Sequence, residues 1–319
     1  MRVLITGVGG FAGSHLAERL SKQPHTELWG TIFRDSEGDG AWATHVTLRT
    51  LDLNDVDGVE RLLRECQPDH LYHLAATSNV GDSWNTPWPT LANNSRAQLN
   101  LLHVIYRLGL NCRILCVSSA DIYGAITPDE LPVDELTPLR PESPYAVSKV
   151  TQDMLAWQYF RSYGVAAIRA RPSNHIGPRQ TLGFVAPAFA HQIAEIEAGL
   201  KAPIIDVGNL TAQRDFTDVR DMVAAYEALL TQGVAGEAYN IGSGSAHAIS
   251  ELLEIMLNAA TVPITVRQDP RRMRPSDVPV SYMNIEKLQS ATGWQPQIPF
   301  EESVLSVLDD WRARVRIDS

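Results

Sequence analysis

Residues 1–13 read MRVLITGVGGFAG, and the reading of this stretch decides the fold. A short apolar run ends in glycines at positions 7, 10 and 13, and an amphipathic pattern over 11–20 follows at once. Gly-x-x-Gly-x-x-Gly lets backbone approach a pyrophosphate at the N-terminus of a helix. Glycine spacing by itself is weak evidence. Set between a strand pattern and a helix pattern, Gly7, Gly10 and Gly13 predict the phosphate cradle of a dinucleotide-binding α/β sheet.

The chain beyond extends that pattern. Apolar strand-like runs at 2–6, 28–33, 46–51, 70–74, 113–118 and 165–171 alternate with helical patterns at 11–20, 56–65, 90–108 and 145–163. Such alternation predicts a parallel sheet with helices on both faces. Several runs are apolar without alternation, as strands buried on both faces require. After RPSNHIGP the texture changes: Pro, Gly and Arg become frequent, and helices are expected at 184–198, 218–230, 249–259 and 301–312. The expected architecture is a Rossmann-type doubly wound sheet with a smaller, discontinuous α/β lobe. The dinucleotide-binding part takes 1–171 and 208–243, with 215–242 returning to the main sheet; the lobe takes 172–207 and 244–319.

The 319 residues suffice for a substantial core, and an apolar share of 44% is ordinary for a globular chain. A net charge of −10 argues against nucleic acid as a partner. An anionic small molecule is still compatible if cations gather locally. Cys66, Cys112 and Cys116 form no Cys-x-x-Cys and join no His/Cys cluster, so reduced buried thiols and no metal are expected. No apolar run approaches the ~20 residues of a membrane span, and the first residues enter a strand pattern directly, so a cytoplasmic protein is expected.

The second strand pattern ends in Arg34 and Asp35. An arginine there suits the extra phosphate of NADP(H), which is favoured; Asp35 leaves NAD(H) open through a ribose hydroxyl. Asp52, after the third strand, either accepts from the adenine amino group or caps the next helix. In SPYAVSK, Tyr145 and Lys149 stand four apart on one helical face. An ammonium beside a phenol stabilises phenolate, so the tyrosine is expected to exchange a proton nearer neutral pH. Ser119, ending CVSS, is placed to hydrogen-bond the same substrate oxygen.

With these pieces together the chain resembles the extended short-chain dehydrogenases/reductases, in their nucleotide-sugar-modifying branch. The matching segments are TGVGGFAG, LDLND, HLAA, SWNTPWPTLANN, SSADIYG, SPYAVSK, RPSNHIGP and RDFTDVRD. The resemblance implies cofactor contacts from Phe11, Leu53, Leu74, Ala75 and Ala76, and an ordering role for Asn94. Arg96–Gln98 departs from the glycine and threonine usual there. It also implies a homodimer built on the helices 90–108 and 145–163.

The second half, with SNHIGPRQTLGFV, VGNLTAQRDFTDVRD and RMRPSDVP, is similar to the GDP-mannose 4,6-dehydratase group and its partner ketosugar reductases. By that likeness Asn174 contacts sugar or diphosphate, Arg214 and Arg274 grip the diphosphate, and Asp277 takes the guanosine ribose. Ser78, Arg179 and Asn209 join the GDP-sugar contacts. Guanidinium forks pair bidentately with phosphate oxygens, which agrees. Dehydratases of the family need an acid and a glutamate after the Ser/Thr; here Ala120 has no proton and Asp121 is one methylene shorter. Loss of water is therefore disfavoured, with Asp121 expected to bond nearby backbone. Reduction of the 4-keto group of GDP-4-keto-6-deoxy-D-mannose is expected. Epimerisation at C-4 over tightly held NAD and 4,6-dehydration are the alternatives.

Overall fold

The computed structural model describes residues 1–272 and 278–318. Seven strands form the central sheet, in the spatial order Val46–Thr50, Glu27–Ile32, Arg2–Thr6, His70–His73, Arg113–Val117, Ala166–Pro172 and Ala238–Ile241. Every pairing is parallel. Val3, Leu4 and Ile5 are all fully buried in succession, so both faces of the central strand are covered. The order reverses between Arg2–Thr6 and His70–His73, and a crevice opens there beyond the strand ends.

Two layers of helices bury the sheet. Phe11–Leu20 and Val219–Gln232 cover one face through Leu16, Leu20, Met222 and Leu229. Val56–Cys66, Pro87–Leu108 and Pro144–Tyr163 cover the other through Leu63, Leu101, Ile105 and Tyr159. Cys66, Cys112 and Cys116 are free and buried in that second layer.

Two helices begin earlier than their apolar patterns suggest. Pro87 and Pro144 each stand in a first turn, where a missing N–H costs nothing. Ser143 caps the second of these by accepting from the Ala146 amide. A larger difference concerns 215–242. Only Ala238–Ile241 returns to the main sheet, whereas Phe216–Asp218 pairs with Asn174–Ile176 in a separate two-stranded sheet. Asp218 ends that strand because its carboxylate accepts from the Arg220 amide and from Ser303 Oγ, capping the helix that follows.

A second core lies beyond the sheet. Phe189 and Ile193 of Val185–Glu197, Leu252 and Met256 of Ile249–Asn258, and Val304 and Leu308 of Phe300–Asp318 pack together with Phe216. Between this core and the strand ends lies a cleft of about 510 Å³.

Candidate active site

The glycine loop forms one wall of the cleft. Gly7 has φ +68°, and a Cβ there would stand 2.8 Å from Ala75 Cα. At Gly13 a Cβ would meet the Gly7 carbonyl oxygen at 2.3 Å. Any side chain at either position would force loop, helix and neighbouring strand apart. The helix Phe11–Leu20 starts at Gly10 without a side-chain cap, so its first-turn amides are not engaged by a capping side chain. That arrangement fits a pyrophosphate. Phe11 stacks flat on His175, with ring centroids 5.6 Å apart, and thereby links this loop to the strand that carries Asn174.

The other wall carries the proton chemistry. Tyr145 and Lys149 are buried one turn apart on Pro144–Tyr163, and both line the cleft with Ser119. Ser119 ends the strand region and caps a short turn, its Oγ accepting from the Asp121 amide at 3.2 Å. Lys149 Nζ donates to the Val117 carbonyl at 2.9 Å. Burial pushes the Lys149 ammonium down to about 8.

The expectation of a phenol made more acidic by its lysine is corrected here. Burial, with the Asp121 charge second, raises Tyr145 well above an ordinary phenol, and a hydrogen bond to Ser119 offsets this only partly. Lys149 Nζ stands 5.8 Å from the tyrosine ring centroid and is engaged with backbone. Tyr145 is thus held protonated.

Buried polar contacts fix the catalytic helix. Asn94 Nδ2 donates to Ser148 Oγ at 2.9 Å and to the Thr77 carbonyl at 3.1 Å, while its Oδ1 accepts from the Thr77 amide at 2.8 Å. Gln98, at the departure from the family pattern, crosses to the same helix by donating to the Gln152 carbonyl at 2.6 Å. Two turns past Tyr145, Asp153 accepts from Arg171 Nε and Nη2, both at 2.9 Å, and from Arg169 Nη1 at 2.8 Å. His73, under the strand ends, bonds Thr6 Oγ1 and is kept neutral, pushed down to about 3 by burial and then by Lys149.

On the substrate side, Ser78, Asp121, Asn174 and Arg214 line the cleft, as do Gly10, Leu74 and Ala76 on the cofactor side. Arg214 Nη1 donates to the Val278 carbonyl at 2.6 Å. Beside it, buried Asp215 accepts from Ser243 N at 2.7 Å, Ser243 Oγ at 2.8 Å, and from Gly244 N and Met283 N at 3.2 Å. Ser173 Oγ donates to the same carboxylate at 3.3 Å.

Other residues singled out by sequence lie outside the cleft lining. Arg179 is a correction. Both its Nη atoms pair with the Glu18 carboxylate and its amide bonds Asp310, so its charge is committed to the joint between the first helix and the last. Asp52 does not cap the next helix; it accepts from Asn54, and Asp55 is the cap. Leu53 packs in the core under the sheet. Ala75 abuts Gly7, and Asn209 accepts from Thr211. Arg34 is exposed at the tip of the second strand, over Phe33, while Asp35 accepts from Thr50 Oγ1 at 2.5 Å. Arg271 pairs with Asp269. Arg274 and Asp277 lie outside the described residues.

The cleft also includes residues that sequence reasoning passed over: Trp84, Glu142, His175 and Gln180. His175 and Gln180 sit inside SNHIGPRQ, so the motif was visible though their roles were not. Among the described residues no group of His, Cys, Asp or Glu is arranged for a metal, and no helix is long and apolar enough to cross a membrane.

Comparison with known proteins agrees with this geometry. The family profile described as GDP-mannose 4,6 dehydratase matches residues 4–307. The GDP-6-deoxy-D-mannose reductase of Pseudomonas aeruginosa is 36% identical over 315 residues, covering 99% of this chain and 98% of the relative. The solved structure of RMD from Pseudomonas aeruginosa complexed with NADPH superposes with a TM-score of 0.86 at 35% identity, covering 98% and 99% of the two chains. A Thermus thermophilus UDP-glucose 4-epimerase complexed with NAD gives a TM-score of 0.86 at 30% identity, with the same coverage.

Proposed function

This chain belongs to the GDP-mannose 4,6-dehydratase family, and from that premise we propose that it reduces the 4-keto group of GDP-4-keto-6-deoxy-D-mannose. The product is GDP-D-rhamnose or its C-4 epimer. NADP(H) is the favoured dinucleotide, with NAD(H) the alternative. The observation that carries the reading is that Tyr145, Ser119 and Lys149 line one cleft with the glycine loop. A reductase must give a proton to the ketone oxygen, and Tyr145 has a phenolic proton to give in that cleft.

The residues present suit a dinucleotide. The glycine loop and the uncapped start of Phe11–Leu20 accept the pyrophosphate. Arg34 is exposed at the tip of the second strand, where an arginine suits a 2′-phosphate, and Asp35 is already bonded to Thr50. When bound, the reduced nicotinamide supplies the hydride. The protein's share is proton delivery and orientation. Tyr145 donates its phenolic proton to the substrate oxygen, Ser119 donates a hydrogen bond to the same oxygen, and Lys149 offers its ammonium to the nicotinamide ribose. Asn174 and Arg214 line the cleft for the diphosphate end. Arg274 and Asp277 complete that grip in the proposed reading.

Ala120 offers no acid to a departing hydroxide, which weighs against dehydration. The likeness to a 4-epimerase supports the second reading, since an epimerase keeps its NAD and shows no net turnover. The deciding experiment is a panel of nucleotide 4-keto-6-deoxy sugars with NADPH and with NADH, products identified by NMR. Reaction confined to uridine or thymidine sugars overturns the guanosine assignment. Recovery of tightly held NAD from denatured protein, without net reduction, favours the epimerase.

A homodimer belongs to the same proposal. Tyr106, Val147, Met154, Trp157 and Tyr163 leave two-fifths or more of their surface, or nearly so, exposed on Pro87–Leu108 and Pro144–Tyr163. These apolar faces suit a helix pair from a second copy. Free buried cysteines suit a reducing, cytoplasmic setting, and a charge of −10 disfavours nucleic acid.

A further inference from the structure

Trp84 lines the cleft, yet 47% of its surface remains exposed. A large aromatic in a concave site with converging polar groups is the pattern of a ligand wall. Its place is well fixed. Trp84 rides on the short helix Val80–Asn85, whose start Asn79 caps by accepting from the Asp82 amide at 3.2 Å. The neighbouring Ser83 donates to the Val80 carbonyl at 2.7 Å and accepts from the Tyr145 amide at 3.3 Å. The indole is therefore carried by the turn that touches the backbone of the proton donor. Val80 stands four residues earlier on the same helical face and also lines the cleft.

Ser78, Ser119 and Asp121 line the same cleft and can meet hydroxyls and a ketone, while Trp84 and Val80 add an apolar face. That apolar face answers the one carbon of a 6-deoxyhexose that carries no oxygen. A C6 hydroxyl placed there would lose its water without gaining a partner. We infer that Trp84 is a specificity-determining residue that seats the C6 methyl of the sugar and disfavours the parent 6-hydroxy sugar. This rests on the reductase reading and assigns it a selectivity.

GDP-D-rhamnose and GDP-mannose differ only in the C6 hydroxyl, so their inhibition constants against the ketosugar reaction measure the effect. The wild-type protein binds the 6-deoxy nucleotide sugar more tightly. Trp84→Ala narrows that ratio about tenfold, the scale of a lost methyl contact. Trp84→Phe, which keeps an aromatic face, recovers most of it, and Trp88→Ala, outside the cleft lining, leaves it unmoved. An unchanged ratio in Trp84→Ala, in a protein whose wild type reduces the ketosugar, overturns the inference and spares the functional reading. A wild type that fails to reduce the ketosugar, with the ratio still collapsing in Trp84→Ala, does the reverse. Fluorescence covers a variant that fails to fold. GDP-D-rhamnose should quench the wild type beyond GDP alone and lose that excess in Trp84→Phe; equal excess in both overturns the inference.

Discussion

Lys149 Nζ lies 2.9 Å from the carbonyl oxygen of Val117, so an ammonium ties the end of the strand Arg113–Val117 to the catalytic helix. That contact holds the lysine in a buried place, and burial has a cost that pH reveals. Its ammonium is pushed down to about 8. Below that value the charged form dominates; above it the charge is lost. The kcat/KM for the dinucleotide is expected to fall as pH climbs through about 8, with Lys149→Met lower throughout and without this limb. A wild-type profile flat to pH 10 contradicts the assignment.

Tyr145→Phe removes the only proton that the phenol can give. Loss of a positioned acid typically costs 10²–10⁴-fold. Single-turnover oxidation of NADPH by the ketosugar should slow by about that factor, while dinucleotide affinity stays near wild type in a binding titration.

Gly7→Ala places a Cβ 2.8 Å from Ala75 Cα on a backbone with φ +68°. The left-handed conformation alone costs a non-glycine residue roughly 1–3 kcal/mol. Dinucleotide affinity, followed by calorimetry, is expected to weaken at least tenfold, with a smaller loss for a nucleotide sugar binding alone.

Asn94→Ala removes the partner of the part-buried Thr77 amide and carbonyl, while the Ser148 hydroxyl keeps its bond to the Tyr145 carbonyl. Each unsatisfied group costs about 1–3 kcal/mol. Urea denaturation should show a loss of at least that size, and Asn94→Asp, which keeps only the acceptor, should recover part of it.

Asp153→Asn leaves the guanidiniums of Arg169 and Arg171 without their shared carboxylate. Breaking a buried pair from one side costs about 3–5 kcal/mol. The urea midpoint should drop accordingly, and a shift under a tenth of the wild-type midpoint argues that the pair contributes little.

The sheet was legible because its signals are local. Val3, Leu4 and Ile5 announce a strand buried on both faces, and Gly7, Gly10 and Gly13 mark its turn. Helix starts were less legible, since Pro87 and Pro144 carry no apolar periodicity and act only through the missing N–H. Phe216–Asp218 was assigned to the main sheet because a strand pattern does not say which neighbour it pairs with. The same gap explains the site. Tyr145, Lys149 and Ser119 follow a spacing, whereas Arg179 looked like a GDP-sugar contact until Glu18, distant in the chain, claimed its charge. The electrostatics of Tyr145 depended on depth of burial, which spacing does not encode.

Five donors from three separate stretches of backbone and side chain converge on the Asp215 carboxylate, next door to Arg214. Such a rivet fastens the strand leading to Asn174 and the 243–244 and 283 turns into one rigid seat as the chain folds. A nucleotide sugar arriving there meets a surface whose entropy of ordering is already spent, so its tightness of binding reflects complementarity more than rearrangement.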